Sequence, residues 1–282
     1  MNNSTGRPRL RWRRVDANLK SRITTAAVGI PLLIGWVGWS PPWLFSIIFF
    51  VLTVAALREY FVMAFPGRWK ERWLGILFGI GLSAAIFLAA WIDPLVAIDI
   101  ALLAGFAACL FSAGALADRL HRLWIVLLGG VYLGYFLPHW VLLFQTAGGR
   151  TWVFWVLAVI MAGDTFAYFV GRGWGGRKLA PAISPAKTVA GAVGYSMGAM
   201  IAGVIGSLFL DDRIGWLEAL ALALVLSILG QIGDLFESWI KRVFAVKDSG
   251  DLLPGHGGLL DRVDSLIFPA VFTTAYLKVF HP

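Results

Sequence analysis

Long apolar runs constrain this chain more than any other feature of its sequence. A helix needs ~20 mostly apolar residues to cross the ~30 Å hydrocarbon core of a bilayer. Nine runs have that character, and prolines, which end helices, stand in several of the short gaps between them. The runs cover residues 23–40, 43–63, 74–92, 94–116, 123–145, 151–171, 189–210, 215–237 and 264–280. The pattern predicts an all-α, polytopic integral membrane bundle of about nine transmembrane helices.

Composition excludes the other broad classes of protein. Of the 282 residues, 59% are hydrophobic and 14% are charged, whereas a soluble domain carries about 25% charged residues. A single cysteine, Cys109, rules out a disulfide scaffold, and the low number of cysteines and histidines makes a zinc site unlikely to form. An ordinary water-soluble enzyme, a disordered chain and a fibrous protein are therefore excluded.

The distribution of basic residues predicts the direction in which the helices run. If the N-terminus lies in the cytoplasm, alternation across nine spans leaves only Arg150, Arg213 and Lys278 on the outer side. Lysine and arginine concentrate on the cytoplasmic side of membrane proteins. We therefore expect a cytoplasmic N-terminus, with a basic tail over residues 1–22 that lies against anionic lipid headgroups.

Polar residues concentrate in two predicted cytoplasmic loops and the helix ends beside them. These segments cover residues 163–188 and 233–264. Asp164 and Asp234 lie inside predicted spans, where a carboxylate is costly unless it faces a wet cavity or meets a cation. An ion pair of Asp164 with Arg172 or Lys187 is the purely structural alternative. Because several acids occur here together with basic residues, glycines and a histidine, we favour a functional site.

The spacing of the acidic residues strengthens this interpretation. Four residues at i, i+3, i+4 and i+7 share one helix face: Asp234, Glu237, Ser238 and Lys241. Asp261 and Asp264 stand three residues apart at the start of the last predicted helix, where helix capping is the alternative explanation.

The residue types in these segments indicate a reaction class. Converging carboxylates suit a hard cation such as Mg²⁺, and neighbouring lysines and arginines suit phosphate oxygens. Glycines at 171–176 and 255–258 allow backbone N–H groups to approach an anion. Together these features point to phosphoryl or nucleotidyl transfer. The positions of the two polar segments divide the predicted spans into helices 1–5 over residues 23–150 and a catalytic transmembrane region over residues 151–282.

The second polar segment resembles the signature of phosphatidate cytidylyltransferases, also called CDP-diacylglycerol synthases. The matching residues are Ser238-x-x-Lys241-Arg242, Lys247-Asp248-x-Gly250, Pro254-Gly255-His256-Gly257-Gly258 and Asp261-Arg262-x-Asp264. The first segment is similar to the same family from Asp164 to Tyr168, at Gly171-Arg172, and from Ile183 to Thr188. In the N-terminal half the similarity is limited to hydrophobic character.

The resemblance implies that CTP and phosphatidate react to give CDP-diacylglycerol and pyrophosphate. It implies a Mg²⁺-dependent, multi-pass enzyme of the inner (plasma) membrane, with K⁺ as a second cation, surrounding membrane lipids as partners, and a homodimeric state. Nucleic acid is not an expected partner. The expected catalytic residues are Asp234, Lys241, Lys247, His256, Asp261 and Arg262. The expected substrate-binding residues are Asp164, Ser184, Lys187, Ser238, Arg242, Gly257 and Gly258. The expected metal ligands are Asp234, Asp248, Asp261 and Asp264.

Two alternatives and one departure from the family pattern stay open at this point. An ion-coupled transporter or lipid translocator also has many spans and buried acids, and a related CTP-dependent enzyme could use another lipid acceptor. Ala190 stands where the family commonly has a glutamate after the Lys187-Thr188 pair. The loss of this carboxylate implies either weakened activity or a changed choice of substrate.

Overall fold

A computed structural model describes residues 29, 31–210, 214–250 and 257–281. The chain divides into two compact units, Met1–Pro41 and Pro42–Pro282. In the first unit, residues 31–39 form helix α1. The predicted basic tail, and His256 in the second unit, lie outside the described residues.

The second unit is built from helices joined mostly by short connections. In chain order they are α2 (Pro42–Ala64), α3 (Trp69–Phe87), α4 (Pro94–Leu110), α5 (Leu116–Gly129), a π-helical segment (Gly130–Phe136), α6 (His139–Gln145), α7 (Gly149–Trp174), α8 (Val189–Ser207), α9 (Trp216–Val243) and α10 (Leu260–Phe280). Local sequence explains some of the starts. The Asp93 side chain accepts a hydrogen bond of 2.8 Å from Leu95 N, with Pro94 as the first helical residue.

Six helices in the described part of the chain are long and apolar enough to cross a membrane. They are Pro42–Ala64, Leu116–Gln145, Gly149–Trp174, Val189–Ser207, Trp216–Val243 and Leu260–Phe280. Helix α4 is apolar but has 17 residues, and α3 carries Lys70, Glu71 and Arg72 in its first turn. The prediction of an all-α polytopic membrane protein is confirmed, whereas the count of nine spans stays a prediction.

The packing of the helices brings the two polar segments together. Helix α7 packs on α8, α8 on α9, and α9 on α10, while α2 contacts α10 and α3 packs on α2 and α4. The connection between α7 and α8 is not a plain loop, because strands β1 (Lys178–Ala180) and β2 (Ser184–Thr188) form an antiparallel hairpin. Thr188 closes this hairpin and also starts α8, since its Oγ1 accepts a hydrogen bond of 3.0 Å from Gly191 N.

Candidate active site

One cavity of about 300 Å³, the acidic cavity, gathers most of the acidic side chains that the sequence singles out. Helix α7 supplies one residue, one face of α9 supplies three, and the first turns of α10 supply the rest. The lining residues are Asp164, Asp234, Glu237, Lys241, Asp261, Arg262, Asp264 and Ser265. The predicted shared face of α9 is confirmed for Asp234, Glu237 and Lys241.

Lys241 joins α9 to α10 through two carboxylates. Its Nζ lies 2.7 Å from Glu237 Oε2 and 2.6 Å from Asp261 Oδ1. The Glu237 side chain is only 1% exposed, and contact with a cation lowers the cost of burying its carboxyl group. Lys241 therefore contacts one carboxyl group from α9 and one from α10.

Asp261 is held by the backbone as well as by Lys241. Its Oδ2 accepts hydrogen bonds from Ser249 N at 3.1 Å, Ser249 Oγ at 2.9 Å and Gly258 N at 3.0 Å. The last of these bonds reaches back from the first turn of α10 to Gly258, which precedes the N-cap residue Leu259. The N–H of Gly258, which we expected to bind substrate, therefore binds Asp261.

The two basic residues considered as partners of Asp164 make other contacts. Lys187 on β2 pairs with Asp234 instead, and Arg172 Nη1 donates to Tyr168 Oη at 2.7 Å. Asp264 is 8% exposed, and its Oδ1 accepts a hydrogen bond of 2.7 Å from Ser265 N. Asp164, Asp234 and Asp264 line the same cavity, close enough for the charge of Asp234 to act on the other two carboxyl groups. This side of the acidic cavity is rich in carboxyl groups, which suit a bound cation.

A larger cavity of about 520 Å³ adjoins the acidic cavity and shares Asp164 and Asp234 with it. It lies between α7, α8, α9 and the hairpin. Most of its wall is small or apolar, for example Ala167, Leu179 and Ala192. The remaining lining residues are Tyr168, Gly171, Arg172, Ala186, Lys187, Thr188, Gly191, Tyr195 and Gln231. A mainly apolar chamber thus opens beside a charged one.

The described residues on the lining of the acidic cavity offer oxygen donors, lysine and arginine. Oxygen donors fit Mg²⁺, which is usually held by one or two carboxylates together with substrate phosphates. Within the described residues, no three Asp, Glu, His or Cys side chains are already arranged around one metal position. The residues therefore fit a cation that takes part of its coordination shell from substrate.

Several predicted site residues do not line either cavity. Among the described residues these are Ser184, Ser238, Arg242, Lys247, Asp248, Gly257 and Gly258. Lys247 and Asp248 are exposed. Arg242 has a structural contact, because its Nε donates to the carbonyl oxygen of Ile183 at 3.2 Å and so ties the turn of the hairpin to α9.

Several residues near the site were missed from the sequence, and Gln231 and Ser265 on the cavity linings are among them. Tyr195 lines the larger cavity, Ser249 binds Asp261, and Glu59 binds the start of α10 from α2. Only Glu59 had a usable signal, since an ionisable residue inside a predicted span is a functional candidate by default. Tyr195 and Ser249 carry no pattern that distinguishes them from packing or loop residues.

Comparison with known families shows to which family the chain belongs. The profile of the cytidylyltransferase family matches residues 20–280. The chain belongs to this family. The match includes the N-terminal helices, for which the sequence alone showed only hydrophobic character.

Individual relatives within the cytidylyltransferase family fall into two kinds. Over 132 residues the chain is 48% identical to phosphatidate cytidylyltransferase of Brucella abortus (strain 2308), covering 47% of this chain and 48% of that protein. The enzyme of the same name from Bacillus subtilis (strain 168) is 46% identical over 132 residues, covering 49% of its length. The match thus spans about half the length of these relatives. The uncharacterized protein YnbB of Escherichia coli (strain K12) is 35% identical over 86% of this chain and 82% of its own length.

Proposed function

We propose that the protein transfers a cytidylyl group from CTP to phosphatidate, giving CDP-diacylglycerol and pyrophosphate. The observation that carries the proposal is the pair of adjoining cavities, one charged and one mainly apolar, that share Asp164 and Asp234. Identities of 46–48% over 132 residues to phosphatidate cytidylyltransferases support the choice of substrates. The reaction needs a place for a triphosphate next to a place for a lipid headgroup.

The proposed chemistry is an in-line displacement. A phosphate oxygen of phosphatidate attacks the α-phosphorus of CTP, a new P–O–P bond forms, and the bond to the β-phosphate breaks as pyrophosphate leaves. The attacking oxygen is already anionic at neutral pH, so the reaction needs no strong general base. The protein instead has to bring two anions together and neutralise the charge that develops on the leaving group.

The basic residues of the two cavities suit this task. Lys187 stands where the two cavities meet, and Lys241 and Arg262 line the acidic cavity. We assign these three side chains to phosphate oxygens. Because Lys187 and Lys241 are already paired with aspartates, substrate binding would exchange carboxylate partners for phosphate partners.

The bound cation is part of the proposal. Asp234, Asp261 and Asp264 would hold Mg²⁺, with Asp164 as a further oxygen donor, and K⁺ would be a second cation. Bound there, the metal would supply charge neutralisation for the triphosphate. The exposed position of Asp248 gives no support to its predicted role as a ligand.

The remaining parts of the proposal concern location. We propose that the enzyme is a homodimer in the inner membrane and that both polar segments face the cytoplasm, where CTP is available. The lipid headgroup would enter the larger cavity, and its acyl chains would stay in the bilayer.

A direct assay tests the proposed reaction. The protein is purified in detergent and supplied with Mg²⁺, labelled CTP and phosphatidate, and the expected product is labelled CDP-diacylglycerol. Asp234→Asn and Asp261→Asn should each lose most of the activity. Asp93→Asn should keep the wild-type rate, because asparagine caps a helix as well as aspartate does. Full activity in both site variants would contradict the assignment of the acidic cavity.

The same preparation separates the alternatives. Because the match to phosphatidate enzymes spans only about half their length, a second lipid phosphate is tested as acceptor in parallel. Faster transfer to that lipid would support a related CTP-dependent enzyme. Lipid or ion flux in proteoliposomes without CTP turnover would instead support a transporter.

A further inference from the structure

Glu59 on α2 contacts the second polar segment (residues 233–264, called here the signature segment) from a distant part of the chain. Its side chain is 4% exposed. Oε1 accepts a hydrogen bond of 2.9 Å from Leu259 N, and Oε2 accepts one of 2.8 Å from Leu260 N. Leu259 is the N-cap of α10 and provides no side-chain cap of its own. A carboxylate from α2 therefore satisfies N–H groups that the start of α10 leaves free.

Glu59 and Asp261 contact the same serine. Ser249 Oγ lies 3.3 Å from Glu59 Oε2 and 2.9 Å from Asp261 Oδ2. A serine hydroxyl has a single proton to donate, so one carboxylate receives it at a time. The two carboxylates thus compete for the Ser249 hydroxyl, so the position of Glu59 affects the bond that Ser249 Oγ makes to Asp261.

Two glycines of the signature leave room for the Glu59 carboxylate. A Cβ atom on Gly250 would lie 3.0 Å from Glu59 Oε1, and one on Gly258 would lie 2.7 Å from Glu59 Oε2. The second distance is too short for any side chain. Side chains at both positions would therefore crowd the Glu59 carboxylate, and one at Gly258 would also overlap Ser249 Oγ.

The bonding of Glu59 also explains how a carboxylate is tolerated in an apolar helix. Backbone N–H groups at a helix N-terminus carry partial positive charge and stabilise an anion. In the described part of the chain, no lysine, arginine or histidine forms an ion pair with Glu59. Its charge is matched to the start of α10, so a neutral residue of the same shape would not replace it.

We infer that Glu59 is a positioning residue for the proposed cytidylyl transfer. It fixes the start of α10 and, through Ser249, the carboxylate of Asp261 opposite Lys241. This inference rests on the proposed function. Glu59 itself lines neither cavity, so it acts through the residues it holds and not by contact with substrate.

The test compares Glu59→Gln with Glu218→Gln. Both changes remove a carboxylate that contacts α10, but Glu218 contacts Tyr276 near the other end of that helix. Hydrogen exchange of the backbone amides over residues 257–265 is measured together with cytidylyl transfer. For Glu59→Gln we expect exchange in this segment to be at least ~10-fold faster. We also expect kcat to fall about 10-fold or more with the KM for CTP nearly unchanged. Glu218→Gln should change neither.

A further variant covers the case in which Glu59→Gln does not fold. Ser249→Ala leaves both amide bonds of Glu59 in place and should slow transfer while exchange at Leu260 stays protected. Unchanged exchange in Glu59→Gln, or faster exchange with full kcat, would overturn the inference. An equal loss in Glu218→Gln would also overturn it, because the effect would then be general destabilisation. Absence of transfer in the wild type would overturn the proposed function, while exchange would still decide whether Glu59 holds α10.

Discussion

Lys241 on α9 places its ammonium group 2.6 Å from the carboxylate of Asp261 on α10. The same ammonium group lies 2.7 Å from Glu237, which is almost completely buried. One cation thus supports two acids on two helices. This contact fixes the distance between the α9 face and the first turn of α10, and it makes Lys241 important to stability as well as to the proposed chemistry.

Lys241→Met should therefore lower both the stability of the protein and its rate of cytidylyl transfer. Removal of one partner from a buried charge pair destabilises a protein by about 3–5 kcal/mol, because the remaining charge has no compensation. We expect a lower unfolding midpoint and loss of nearly all transfer, measured by thermal denaturation in detergent and by the CTP assay. Lys70→Met, on the exposed start of α3, serves as the control. A stable, active Lys241→Met protein would contradict the double role.

Asp264→Asn should stabilise the metal-free protein and still lose activity. Asp264 is buried, and the charges of Asp234 and Glu237 act on it. Asparagine keeps the oxygen that accepts the Ser265 N–H and cannot ionise in this buried, acidic surrounding. We expect the unfolding midpoint without Mg²⁺ to rise by about 2–4 °C.

The matching metal experiment uses the same variant. A ligand that binds only the folded state raises the unfolding midpoint, so Mg²⁺ should stabilise the wild type more than Asp264→Asn. Chelation of divalent metal should abolish transfer by the wild type. An equal response of both proteins to Mg²⁺ would remove Asp264 from the proposed ligands.

Gly258→Ala should destabilise the signature segment. Its new Cβ would overlap Ser249 Oγ and lie 2.8 Å from Gly250 N, and overpacking of this kind costs about 1–3 kcal/mol. Gly173→Ala is the matched change, because nothing lies within 4 Å of a Cβ there. Thermal denaturation should show a lower midpoint for the first variant only. Equal midpoints would show that the signature segment can move away from α2.

Arg122→Met should reduce stability without changing the chemistry. Arg122 is 6% exposed, donates to Ser112 Oγ at 2.8 Å and also donates to the Ala113 carbonyl oxygen. Loss of a hydrogen bond from a charged donor costs about 1.5–3 kcal/mol. We expect a lower unfolding midpoint and an unchanged kcat per folded molecule. A changed kcat would connect the α4–α5 turn to the active site.

The helices could be predicted because the bilayer imposes a strong requirement on sequence. Each span must be long and apolar, so α7, α8, α9 and α10 appear close to the expected positions. The shared face of Asp234, Glu237 and Lys241 followed from helical periodicity alone. The hairpin between α7 and α8 was not predicted, since its strands are short and contain Pro185 in place of an alternating apolar pattern.

The partners of the predicted site residues could not be read from spacing. Lys187 could pair with Asp164 or Asp234, and both are near it in the folded chain. Gly258 and Arg242 were expected to bind substrate, but the fold uses them for Asp261 and for the hairpin turn. Such choices depend on which donor lies a few tenths of an ångström closer, and that distance is a property of helix packing.

The sequence by itself determined that this is a helical membrane protein with charged residues gathered near Asp234 and Asp261. It could do so because hydrophobic length and helical periodicity are local properties. Only the tertiary structure decided that Glu59, 200 residues before Leu259, holds the start of α10. Hydrogen bonds between distant segments form when packing brings their donors and acceptors within about 3 Å, and no local pattern encodes that approach.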